Sequence, residues 1–183
     1  PPRSTLFPYT TLFRSQVIRW DLHSGARLQN YAGHENAVYS LAISPDGMRI
    51  ASGGRDRSIL LWDARDARLL ARLSVDADAI WALAFSPDGE RLLSAGAGGA
   101  TQLWDLGSGG LLTRYAAGAS TTFAAGFSAD GRYIITGHED GALNLWRALP
   151  TSETIAWAQA NRYLREPGCQ ERVRFRIEPL CMD

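Results

Sequence analysis

The chain has 183 residues, 45% apolar and 21% charged, enough apolar surface for a packed core. Its 19 basic and 19 acidic side chains cancel, which argues against capture of a polyanion by bulk charge. No stretch approaches the roughly 20 apolar residues of a membrane span, and two cysteines, Cys169 and Cys181, are too few for a disulfide framework.

In chain order, the segment Thr5 to Ser15 resembles, residue for residue, the translation of a common DNA sequencing-library adapter. Residues 1–15 are therefore set aside as a non-native segment, and the native gene is expected to continue upstream. A repeat then begins at Gln16. Trp-Asp pairs stand at Trp20-Asp21, Trp62-Asp63 and Trp104-Asp105, and Trp146-Arg147 keeps the place, each step being 42 residues. A second series runs in register, with Ser44-Pro45-Asp46-Gly47, Ser86-Pro87-Asp88-Gly89 and Ser128-Ala129-Asp130-Gly131 also 42 apart.

Each unit reads as four short strands. Residues 16–20 are the third strand of a unit whose first two are missing. The second unit offers strands over 37–44, 48–53, 58–62 and 68–73, broken by Pro-Asp-Gly and other turn residues. The third repeats this over 79–86, 90–95, 100–104 and 110–115, and the fourth over 121–128, 132–137 and 142–146. The short connections predict antiparallel hairpins. Runs apolar on both faces predict sheets covered on both sides by neighbouring units, as in a propeller.

The second unit, Gly33-His34 followed by Ser52-Gly53-Gly54-Arg55-Asp56-Arg57-Ser58-Ile59-Leu60-Leu61-Trp62-Asp63, resembles a WD40 (Trp-Asp repeat) blade at nearly every signature position. The resemblance implies an all-β, partial WD-repeat β-propeller over 16–149. That length gives about three four-stranded antiparallel blades in an open arc, where propellers usually close with four to eight. It also implies a hydrogen-bonded chain inside the blade, formed by His34, Asp56, Ser58 and Trp62, which gives a buried carboxylate and an indole N–H their partners. The later units depart from it. At the His, Asp and Ser places the third has Asp76, Gly98 and Ala100, leaving Trp104. The fourth keeps Asp140 and Trp146, with Gly118 and Ala142 at the other two places. The Gly137-His138 pair is expected in the turn between strands and is not read as the same signature. These two blades are expected to be held mainly by apolar packing and less by internal polar networks.

After Pro150 the composition changes. Thr151 or Ser152 can cap a helix to about Arg165, and the tail over 150–183 is similar to the short helical ending of many bacterial Trp-Asp-repeat proteins. The alternation of Arg172, Arg174 and Arg176 reads as a solvated face, because Glu171 and Glu178 flank it; no nucleic acid is expected as partner. His23, His34 and His138 have no metal spacing with each other or with the cysteines, so neither metal nor cofactor is expected. The turn aspartates bond their own backbone. No nucleophile elbow or phosphate loop is present, and the Ser, His and Asp of the second unit read as structural, so no catalytic residue is expected.

Tyr39, Trp81 and Phe123 stand 42 apart, at the start of the innermost strand of three successive units. The resemblance places them, with Arg55 (and Glu139 in the fourth unit), towards the rim of the face that most often meets partners. Aromatic residues and Arg are enriched at binding hot spots. Packing between blades as core is the competing reading, and the sequence leaves both open. The expected function is a non-enzymatic, cytoplasmic scaffold for protein partners. The alternative is the C-terminal sensor arm of a larger bacterial signalling protein with a kinase or nucleotide-binding effector upstream.

Overall fold

A computed structural model describes residues 15–75, 77–116 and 120–148, all within one compact unit, Pro1–Pro150. The adapter-like segment before Ser15, the expected terminal helix, both cysteines, the arginine alternation, Asp76 and Gly118 lie outside the described residues.

The 42-residue period becomes a series of antiparallel sheets. Strands β1 (Gln16–Trp20) and β2 (Arg27–Ala32) form the first. The second is β3 (Val38–Ile43), β4 (Arg49–Gly54), β5 (Ser58–Asp63) and β6 (Leu69–Ser74), paired in chain order. The third is β7 (Ile80–Phe85), β8 (Arg91–Gly96), β9 (Ala100–Asp105) and β10 (Leu111–Ala116). The fourth is β11 (Thr122–Phe127), β12 (Tyr133–His138) and β13 (Leu143–Arg147). The predicted strands of the last three units match these to within a residue or two at each end. His138 is the exception that matters: it closes β12 and is not in a turn.

The turns form where Pro-Asp-Gly stops a strand. Ser44 Oγ donates to Asp46 Oδ1 at 2.5 Å, Asp46 Oδ1 accepts from Met48 N at 2.9 Å, and Gly47 takes a φ of 70°. Only residues tolerant of left-handed backbone sit there without strain. The same arrangement recurs at Ser86-Asp88-Gly89 and at Ser128-Asp130-Gly131, where Ala129 replaces proline. The Ser44 hydroxyl and then the Met48 N–H hold the Asp46 carboxyl below the usual carboxylate range, and the Ser128 hydroxyl and Arg132 N–H do so for Asp130. At Asp88 burial pushes the other way, but the Ser86 hydroxyl and the Glu90 N–H outweigh it.

The core lies between sheets. Val17, Tyr31, Val38, Ile50, Leu60 and Trp62 fill the space between the first and second. Ala51, Ile59, Leu61, Leu73, Ile80, Leu83 and Leu92 join the second to the third, and Leu93, Leu103, Tyr115 and Ile134 join the third to the fourth. β5 is therefore buried on both faces along most of its length, as its unbroken apolar run predicts. Arginines tie neighbouring sheets together: Arg49 Nη2 donates to Gly89 O at 2.6 Å, and Arg91 Nη1 to Ala148 O at 2.7 Å. Each satisfies a carbonyl of the next unit, a charge-assisted bond stronger than a neutral one. The opposite face of the fourth sheet carries Ile135, Leu143 and Leu145; Leu143 is 74% exposed.

Candidate functional site

Inside the second sheet, His34 stands in the loop before β3, with Nδ1 2.8 Å from Asp56 Oδ2 and Nε2 2.7 Å from Ser52 Oγ. Trp62 Nε1 donates to the same Ser52 oxygen at 2.8 Å. Partner chemistry assigns the tautomer. Asp56 accepts from Nδ1–H, so Nε2 accepts from the Ser52 hydroxyl, whose oxygen is free to accept from the indole. Asp56 Oδ2 also accepts from Glu35 N at 3.0 Å. Burial pushes the Asp56 carboxyl up, yet the Glu35 N–H and the His34 ring outweigh burial and hold it below its ordinary value.

The hydroxyl of this chain belongs to Ser52 and not to Ser58. Ser58 and Trp62 lie four residues apart on β5, about 13 Å along a strand. Ser52 is on β4, opposite Leu60 and diagonal to Trp62 on the same face. Ser58 stays at the Asp56 end, its backbone N 3.3 Å from Asp56 Oδ1.

The place of Ser52 recurs at Ser94 and Thr136, 42 and 84 residues on, a period visible in the sequence. Ser94 Oγ accepts from Trp104 Nε1 at 2.9 Å, so Trp104 keeps a polar partner in the third sheet. Thr136 Oγ1 accepts from Trp146 Nε1 at 3.0 Å and lies 2.9 Å from His138 Nε2. His138 Nδ1 meets Thr122 Oγ1 at 3.1 Å, and Asn144 Nδ2 lies 3.1 Å from Nε2. An imidazole thus again joins the hydroxyl that holds the tryptophan, supplied from the end of β12. The expectation of few internal polar bonds is corrected for the fourth unit, which keeps a network of five side chains, while the third keeps the single Trp104–Ser94 link between its second and third strands.

The three aromatic residues owe their position to backbone irregularity. Val38 pairs with Gly54 and Ser40 with Gly53, so Tyr39 is an extra residue in β3. Trp81 between Ile80 and Ala82, and Phe123 between Thr122 and Ala124, are extra in the same way. Such bulges re-aim a side chain. Val38, Ile80 and Thr122 go inward and are buried, and the aromatic residue after each turns to the surface. Trp81 is 36% and Phe123 50% exposed, while Tyr39 is half-buried. The rings meet across sheets: Tyr39 and Trp81 stack with centroids 4.5 Å apart and planes 8° apart, and Trp81 meets Phe123 edge-on at 5.7 Å. Each such pair contributes about 0.5–1.5 kcal/mol beyond burial. The rings therefore pack between blades and keep exposed surface at once.

Backbone bonds set the rim around this ladder. Arg55 N donates to Ala37 O at 2.9 Å, Ala97 N to Ala79 O at 3.1 Å and Glu139 N to Thr121 O at 2.9 Å, which holds three turns at the same end of the innermost strands. The Arg55 and Glu139 side chains are exposed there. Tight approach explains two glycines nearby: a Cβ on Gly54 would lie 2.3 Å from Ala37 O, and on Gly96 2.1 Å from Ala79 O.

Consecutive antiparallel sheets, apolar cores between them and a Trp–hydroxyl bond in three successive units define a propeller-type repeat protein. The family model described as WD domain, G-beta repeat matches residues 25–63, 68–105 and 115–147, and the chain belongs to that family. It is 38% identical over 45 residues to a WD repeat-containing protein of Schizosaccharomyces pombe, covering 25% of this chain and 11% of that one. It is also 38% identical over 47 residues to the intraflagellar transport protein 122 homolog of Homo sapiens, covering 26% and 4%. Over 46 residues it is 37% identical to eukaryotic translation initiation factor 3 subunit I of Neurospora crassa, covering 25% and 13%. The chain thus spans a small part of the length of each of these relatives.

Proposed function

We propose that this chain is a non-catalytic scaffold whose ridge of Tyr39, Trp81 and Phe123, with Arg55 beside it, receives protein partners. The observation that carries this is the placement of three aromatic residues on bulges at one register position of three successive sheets, where they keep exposed surface. Family membership supports the scaffold role, since a fold hosts functions through its sites and WD repeats are generally interaction modules. The Neurospora crassa relative is by its name a subunit of a larger factor.

The test is selection of a phage-displayed peptide library on the full chain, with the selected peptides re-measured on Tyr39→Ala and Trp81→Ala. Lost binding by variants that still fold, with melting temperatures lowered by several degrees as the ring pairs are lost, is the expected result. Binding unaffected by both substitutions, or a chain that no longer folds with either, refutes the surface reading and returns these rings to the core.

A further inference from the structure

The two ends of the aromatic ridge differ in charge. At the Tyr39 end the turn after β4 carries Arg55 and Arg57, both exposed. The acidic groups there are already engaged: Asp56 is held by His34, and Glu35 lies 3.7 Å from Arg72. At the Phe123 end the turn after β12 carries Glu139 and Asp140, both exposed. Between them the turn over Ala97–Gly99 has no side chain larger than a methyl, and the space above Gly98 is open, with nothing within 4 Å of a Cβ built there. Asp78, in the loop before β7, adds one more negative charge on the way to the acidic end. Among the described residues, the side chains of Arg55, Arg57, Asp78 and Glu139 enter no hydrogen bond or ion pair. The surface is thus apolar along its middle, basic at one end and acidic at the other.

We infer that these charges are read together with the ridge, so that its occupant is an extended peptide segment with an apolar centre, an acidic residue at the Tyr39 end and a basic residue at the Phe123 end. The inference rests on the partner-surface reading above and deepens it. Complementary rim charges fix orientation and register and suppress wrong partners more than they raise affinity. The rings stand 4.5 and 5.7 Å apart along the ridge, so an extended segment at about 3.3 Å per residue crosses it in roughly three residues. Single-stranded nucleic acid also stacks on aromatic ridges, but it needs a basic track along its backbone, and here the track turns acidic at Asp78, Glu139 and Asp140.

Fluorescence anisotropy with the full chain tests this. Three labelled seven-residue probes share a Gly-Leu-Phe-Leu-Gly centre and carry Glu and Arg, Glu and Glu, or Arg and Arg at their ends. The mixed probe is expected to bind about threefold tighter than either like-charged one, a difference set by one matched exposed charge and lost at about 0.5 M salt. Arg55→Glu, which leaves Arg57 in place, should abolish the preference for the mixed over the doubly basic probe, and Glu139→Arg, which leaves Asp140 in place, the preference over the doubly acidic one. Equal binding of all three probes, abolished by Trp81→Ala, overturns the charge inference and leaves the partner surface standing. Failure of all three to bind, where library-selected peptides do bind through Trp81, overturns it as well. A poly(U) probe that binds and depends on Trp81 overturns it in favour of nucleic acid.

Discussion

Replacing Ser52 by alanine isolates the polar link inside the second sheet. Ser52 is 0% exposed, and its hydroxyl serves two groups at once, the Trp62 N–H at 2.8 Å and His34 Nε2 at 2.7 Å. Alanine leaves both without the partner they have in the native sheet. A buried polar group stranded in this way costs about 1–3 kcal/mol, so two together with some relaxation put the loss at about 3 kcal/mol. Ser58→Ala is the matched control. That serine is also buried, but its hydroxyl is outside the His34–Ser52–Trp62 chain, and its loss should cost under about 1 kcal/mol. Urea denaturation of the full chain, followed by tryptophan fluorescence, reads the difference. With a slope of about 1–3 kcal/mol per molar urea, Ser52→Ala should lower the midpoint by 1 M or more and Ser58→Ala by a fraction of that. Equal shifts, or the larger shift from Ser58→Ala, refute the assignment of the hydroxyl to β4.

Gly54→Ala should destabilise by more than about 3 kcal/mol, because its Cβ would meet the Ala37 carbonyl oxygen at 2.3 Å. Gly98→Ala, with open space but a φ of 73°, should cost only about 1–2 kcal/mol; the same urea titration ranks the two, and the reverse order would count against the close approach at β3. Acid should weaken the fold. Asp46, Asp56, Asp88 and Asp130 have carboxyls held below their ordinary value, so they contribute stability that is present above the unfolded carboxylate range of about 4 and is lost as pH falls through the folded values. Urea midpoints should be level from pH 7 to about 5 and fall below 4, with a shallower fall in Asp88→Asn. A midpoint that rises on acidification contradicts the sign.

The period of 42 residues made most of the fold legible, because Trp-Asp and Ser-Pro-Asp-Gly recur where strands end and turns begin. What the period alone did not show was which side chains face each other across strands. Ser58 stands near Asp56 in sequence and resembles the serine of the blade signature, while Ser52 reaches Trp62 only through the β4–β5 register, in which Ile50 faces Trp62 and Ser52 faces Leu60. Reading Ser52, Ser94 and Thr136 as a series of their own supplies the missing signal. His138 escaped for a related reason: Gly137 beside it imitates a loop signature, whereas the chain stays paired through His138 to Thr122. The bulges at Tyr39, Trp81 and Phe123 left no mark in the composition of their strands. They re-aim the three rings at the start of each innermost strand, which the two-residue period of a regular strand does not predict.

The claim at the centre of this account is that Trp62 and Trp104 are buried, hydrogen-bonded indoles, whereas Trp81 is exposed on the aromatic ridge. Hydrogen exchange of the indole N–H signals, followed by NMR after transfer of the full chain to heavy water, addresses it directly. Trp62 and Trp104, 2% and 6% exposed and bonded to Ser52 and Ser94, should keep their protons longest. Trp81, 36% exposed, should exchange at once and be the indole whose signal moves when a selected peptide is added. Immediate exchange at Trp62 and Trp104, or a protected Trp81 that no peptide perturbs, would contradict it.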